Sequence, residues 1–145
     1  MKKRQTLMRA VGRSRRAWDN YVKAVTQAEG IPDSYRTVLM FLLRHPGSGQ
    51  RDIAEFANIT TSAVNQAVKS MIEEKHLIKE TDTADKRNSK LYLTDKGTAV
   101  ASKVFDKLDA ADDAITARIG AEKEAELMAL LDELTEYIRR DLTQC

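Results

Sequence analysis

The chain has 145 residues, 42% of them hydrophobic and 32% charged, with a formal net charge of +2, which suits one soluble, helix-rich domain with a real core. Two prolines and six glycines argue against a loop-rich all-β fold, and the longest apolar run, Val38 to Leu43, is far short of a membrane span. The single cysteine, Cys145, excludes an internal disulfide and, with only two scattered histidines, a metal site of Cys/His type.

The opening Met1-Lys2-Lys3-Arg4 is basic, but Arg9, Arg13, Arg15 and Arg16 interrupt any hydrophobic signal segment, so the expected location is the cytoplasm. From about Gln5 to Ala28 the pattern predicts one long helix, with Leu7, Val11, Trp18, Tyr21, Val22 and Val25 as its apolar stripe. Glu29-Gly30-Ile31-Pro32 ends it, because glycine terminates helices and proline cannot continue them. Asp33 or Ser34 is placed to cap the next helix, which runs to about His45. Tyr35, Val38, Leu39, Phe41, Leu42 and Leu43 surround most of its circumference, the mark of a buried core helix. His45-Pro46-Gly47-Ser48-Gly49 reads as a loop.

The stretch from Gln50 to Gly97 organises the rest. Gln50 to Ala57 predicts a short helix carrying Ile53, Ala54 and Phe56, and Asn58-Ile59 breaks it. Thr60 can cap a second helix by accepting a free N–H of its first turn. There Val64, Ala67, Val68, Met71 and Ile72 form one apolar stripe, and Ser62, Asn65, Gln66 and Lys69 form the opposite one. The second stripe holds hydrogen-bonding groups and one cation, without a carboxylate. A helix needs such a face to lie against base edges in a phosphate-lined groove. Taken alone it could equally be an ordinary solvated face. Leu77 to Thr81 and Lys90 to Thr94 then read as strands around a polar tip, Asp82 to Ser89. A helix–turn–helix followed by a hairpin with a basic tip is a winged helix, whose tip can reach the minor groove.

Thr94 is placed to cap a helix from Asp95 to about Ile119, with Val100, Val104, Leu108, Ala111 and Ile115 recurring every three to four residues. Gly120 breaks it, and a last helix spans about Ala121 to Leu142 with Leu127, Leu130, Leu131, Leu134, Tyr137, Ile138 and Leu142 on one side. Residues 1–30 hold eight Lys/Arg against two Asp/Glu, and residues 98–145 hold six against eleven. The acidic end cannot face phosphate; the basic end lies near it or pairs with the acidic end. The terminal helices have more apolar stripe than a small motif can cover, which implies a partner chain.

The run Asp85-Lys86-Arg87-Asn88-Ser89-Lys90-Leu91-Tyr92-Leu93-Thr94-Asp95-Lys96-Gly97 resembles the D-x-R-x-x-x-L-x-L-T-x-x-G wing signature of the MarR family of bacterial transcription regulators. Gln50 to Ala54 and Ser70 to Ile78 resemble that family's helix–turn–helix, and the layout of the whole chain fits. Two departures are Asn58 and His76, which stand where the family usually has glycine. Both residue types enter left-handed backbone readily, and both positions are expected to do so.

The expected fold is therefore mainly α with a small β-hairpin wing: a winged helix–turn–helix over residues 31–97 plus long terminal dimerisation helices, residues 1–30 and 98–145, in one compact domain. The resemblance implies a homodimer with interlocking terminal helices. If its recognition helices lie about 34 Å apart, the operator is a palindrome. Asn65 and Gln66 are the candidates for base readout, because side-chain amides pair bidentately with adenine. Thr60 opens that helix, and Thr61, Ser62 and Lys69 are placed for phosphate or a neighbouring base. Gln50 and Arg51 are placed to clamp phosphate. In the resembling family the arginine matching Arg87 enters the minor groove, held by the aspartate matching Asp85; Lys86 and Lys90 add backbone contacts. Many such proteins release DNA on binding small aromatic acids or phenols. Trp18, Tyr21 and Tyr35, with Arg15 or Arg16 nearby, could line such a cleft here, although aromatics at helical spacing usually serve the core. Nothing in the sequence assembles a nucleophile with its base or a glycine-rich phosphate loop, so neither catalysis nor a cofactor is expected. The competing expectation is a winged helix used only for protein contacts.

Overall fold

The computed structural model describes residues 5–81, 84–85 and 88–142. It comprises two compact units, residues 1–108 and residues 109–145.

In the first unit, α1 spans Leu7–Ala28, α2 Asp33–Arg44, α3 Gln50–Ala57 and α4 Thr61–Glu73. Strands β1 (Leu77–Thr81) and β2 (Ser89–Leu93) follow, and then α5 (Asp95–Ile119) begins. Local chemistry sets most boundaries. Thr6 caps α1 by accepting from Arg9 N at 3.4 Å, and Thr60 caps α4 by accepting from Ala63 N at 3.2 Å. Thr94 Oγ1 accepts from Gly97 N at 3.1 Å as α5 starts. The expected side-chain cap of α2 is absent: Pro32 holds the cap position without such a bond. Asp33 instead lies in the first turn, where its charge suits the helix N-terminus, 3.2 Å from Arg36.

The core of this unit takes one stripe from each of α1 to α5. Val38, Leu39 and Leu42 of α2 meet Ile53 of α3, Val64, Val68 and Met71 of α4, Leu77 and Leu91 of the hairpin, and Val104 of α5; all are at most 2% exposed. α1 adds Val22 and Val25, while Leu7 at its start is exposed. Phe56, at helical spacing with Ile53 and Ala54, does not join them in the core. It is 70% exposed and stacks on Phe41, ring centroids 5.0 Å apart, because the inner face of the short α3 is already filled by Ile53 and Ala54.

The hairpin is antiparallel, with Leu77 opposite Leu93 and Lys79 opposite Leu91. The loop before α3 also pairs with β2: Gly47 N donates to Leu91 O at 2.9 Å, and Leu91 N donates to Ser48 O at 3.0 Å. At the end of α4 the left-handed residue is Lys75 (φ 64°), not His76; Asn58 (φ 52°) is left-handed as expected. His76 turns inward instead, and its carbonyl receives Thr94 N at 3.0 Å. A β-carbon on Gly97 would lie 2.2 Å from that carbonyl oxygen, so only glycine lets α5 start there.

The second unit holds the end of α5, then Gly120 (φ 94°), α6 (Ala121–Tyr137) and a π-helical turn, Ile138–Leu142, in place of the last expected α turn. Thr116 Oγ1 donates to Glu124 Oε1 at 2.9 Å across the corner. No residue of α6 is buried, and Leu127, Met128 and Leu130 are about half exposed. Among the described residues, no helix is long and apolar enough to cross a membrane.

Candidate nucleic-acid interface

The two faces of α4 separate as the spacing predicts. Val64, Ala67, Val68 and Met71 are buried; Ser62, Asn65, Gln66 and Lys69 are all exposed. The only carboxylate of α4, Glu73, lies in its last turn, away from the polar residues at its start. Left-handed Asn58 and the Thr60 cap fix the angle at which this face is presented. The cap uses a lone pair of the Thr60 hydroxyl and leaves its O–H free to donate.

Two clefts separate α4 from the hairpin. One, of about 350 Å³, is lined by Gln50, Asn65, Lys69 and Lys79 over a floor of Val68 and Ile72. The other, of about 870 Å³, is bordered by Arg51, Thr61, Asn65, Asp85 and Lys90. The structure thus gathers Gln50, Arg51, Thr61, Asn65, Lys69, Asp85 and Lys90 around adjoining hollows, while Ser62 and Gln66 stand on the exposed helix face outside them. Lys86 and Arg87 lie outside the described residues. Asn88 N donates to the Asp85 carbonyl at 3.0 Å, and Asn88 Nδ2 donates to Asp85 Oδ2 at 3.3 Å.

Lys79 was missing from the expected set. Its signal was available, since alternation along Leu77-Ile78-Lys79 puts Lys79 on the strand face that Leu77 directs toward α4.

The aromatic residues considered for an effector cleft do not line either hollow. Trp18 and Tyr21 lie together on α1, ring centroids 5.7 Å apart, and Arg15 is tied to Asp19 at 3.0 Å. Tyr35 is buried, and its hydroxyl donates to Glu74 Oε1 at 2.8 Å. Burial, with Glu74 beside it, pushes the Tyr35 phenol up. Tyr35 also meets His76 edge-on at 6.2 Å. Burial and then the cation of Lys96 hold the His76 imidazole below its ordinary value, against the opposing pull of Glu74, whose Oε2 lies 3.6 Å from Nε2. The segment after α4 is further fixed by Thr94 Oγ1, which donates to Lys75 O at 2.6 Å, and by Lys96 Nζ, which donates to Glu74 O at 2.8 Å.

Comparison with known proteins agrees with this architecture. Residues 29–88 match the sequence model of the MarR family. The chain is 24% identical over 114 residues, 79% of each sequence, to the HTH-type transcriptional regulator BilQ of Clostridium symbiosum. It shares its fold with the MarR family transcription regulator SP03579 (TM-score 0.84, 18% identity, 95% of this chain and 93% of the other). NadR in complex with 4-hydroxyphenylacetate superposes with a TM-score of 0.73 (21% identity, 92% and 95% covered). A point mutant of S. aureus MepR bound to an oligodeoxyribonucleotide does so with a TM-score of 0.62 (17% identity, 93% and 99% covered).

Proposed function

We propose that the chain is a winged helix–turn–helix transcriptional regulator of the MarR family rather than an enzyme, and that it acts as a homodimeric repressor of a palindromic operator. The observation that carries this reading is the exposed, carboxylate-free face of α4, with Asn65 and Gln66 for base edges and Ser62, Thr61 and Lys69 beside them. Gln50, Arg51 and Lys90 hold phosphate, and Arg87 fills the minor groove, where a narrow cleft of negative potential favours a guanidinium over a strongly hydrated ammonium. The terminal helices, within residues 1–30 and 98–145, join two copies, and the exposed leucines of α6 support this. The protein works in the cytoplasm.

A small aromatic acid or phenol acts as the releasing ligand. The complex of NadR with 4-hydroxyphenylacetate supports the chemical class. Trp18 and Tyr21 are the aromatics that keep surface for it, whereas Tyr35 is engaged with Glu74.

Selection of bound duplexes from random DNA tests the reading. It is expected to return an inverted repeat with half-sites one turn apart, and Asn65→Ala with Gln66→Ala is expected to erase the preference within each half-site. Arg87→Ala is expected to weaken binding at least about tenfold, roughly 1.4 kcal/mol. Recovery of no enriched sequence would sink the proposal.

A further inference from the structure

We propose that Lys79 is the contact for the phosphodiester strand that runs between the two grooves of the bound duplex, a refinement that rests on the DNA-binding reading above. A duplex that admits α4 to its wide groove and the hairpin tip to its narrow one must lay one sugar–phosphate strand across the space between them. In this chain that space is the pair of clefts between α4 and the hairpin. Lys79 and Asn65 line both, together with Gln50.

Three features fit Lys79 to a phosphate. It projects from a strand whose pairing is fixed on a buried footing: Leu77, two residues earlier, is 1% exposed, and Leu91, the cross-strand partner of Lys79, is 0% exposed. Its own side chain is exposed. Among the described residues it enters no ion pair, so none of them neutralises its ammonium charge. Two carboxylates border the wider cleft. Asp52 Oδ2 accepts from Gly49 N at 2.9 Å, and Asp85 accepts from Asn88. Both already accept hydrogen bonds within the protein, and Arg51 and Lys90 border the same cleft with Lys79, so cations line the path of the strand. The contact is to backbone and carries no base information, so Lys79 sets affinity and register, and Asn65 beside it sets sequence preference.

Fluorescence anisotropy on the selected duplex and on a scrambled one, between about 50 and 200 mM salt, tests this. The expected result for Lys79→Ala is a salt slope shallower by about one per protomer and an equal loss of affinity on both duplexes. Lys79→Arg keeps the wild-type slope, Lys79→Gln behaves as Lys79→Ala, and Asn65→Ala keeps the slope while losing discrimination. A wild-type slope in Lys79→Ala, with steep binding by the parent, overturns the assignment of Lys79 alone. A slope change in Lys79→Ala that Lys79→Gln does not share traces to lost packing of the stem and also overturns it. Salt-independent binding by the parent overturns the DNA-binding reading and this refinement together.

Discussion

Single residues carry two sharp consequences. Gly97 has its α-carbon against the His76 carbonyl, so Gly97→Ala forces either α5 or the segment after α4 to move. Overpacking of this kind costs about 1–3 kcal/mol, and a drop in melting temperature is the expected outcome by calorimetry. His76 is the second. Its folded-state value lies below the ordinary 6.5, because burial and Lys96 disfavour the imidazolium. The groups facing it are Tyr35 of α2, Glu74 after α4 and Lys96 of α5. A depressed histidine contributes stability that is complete above about 6.5 and is lost as pH falls below that toward the folded value. Chemical denaturation at a series of pH values is expected to show stability falling on the acid side of 6.5. His76→Gln is expected to flatten that part of the profile.

At the scale of elements, the capping residues repay the same scrutiny. Thr60→Ala removes the acceptor for Ala63 N, and about 1 kcal/mol of stability is the expected loss in a denaturant titration. The helices were legible because their signals are local. The roughly 3.6-residue spacing of Val64, Val68 and Met71, the threonine caps and the break at Gly120 need no knowledge of the remote chain. The polar face of α4 was legible for the same reason, being the complement of a buried stripe. What escaped was non-local. Phe56 has helical spacing but finds its partner in Phe41 on α2, and periodicity does not say whether an aromatic meets core or water. The left-handed position fell on Lys75, one residue before the one expected, because the helix closes there: Lys75 N donates to Ile72 O at 3.0 Å and His76 N to Met71 O at 2.8 Å. Alternation puts Lys79 on the face of Leu77, but that this face borders a cleft with Asn65 and Gln50 depends on how the hairpin packs against α4, which is non-local.

For the whole molecule the decisive quantity is the apolar surface that the second unit leaves uncovered. Leu127, Leu130 and Leu131 are 47%, 58% and 38% exposed, each on a helix with no buried residue. Fully burying such a side chain brings roughly 1.5–3 kcal/mol, and these leucines are already about half covered, so the proposed second copy would add a part of that at each. On the proposed homodimer, melting temperature is expected to rise with protein concentration, because only the folded state would associate. Leu127→Glu combined with Leu131→Glu is expected to give a monomer in sedimentation equilibrium and to weaken operator binding. A parent that stays monomeric at all concentrations would remove the two-fold reading of the operator.

The pairing of Ser48 with Leu91 has a further consequence. It makes β2 the middle of three extended segments, so the root of the hairpin is pinned on both flanks, and the described ladder ends at the Thr81–Ser89 pair, before the outer portion of the hairpin. Length can be gained or lost in that outer portion without shifting which side chains enter the interior, whereas a single insertion below it would turn every inward residue outward. The reach of the probe is thereby an adjustable trait, and its footing is not.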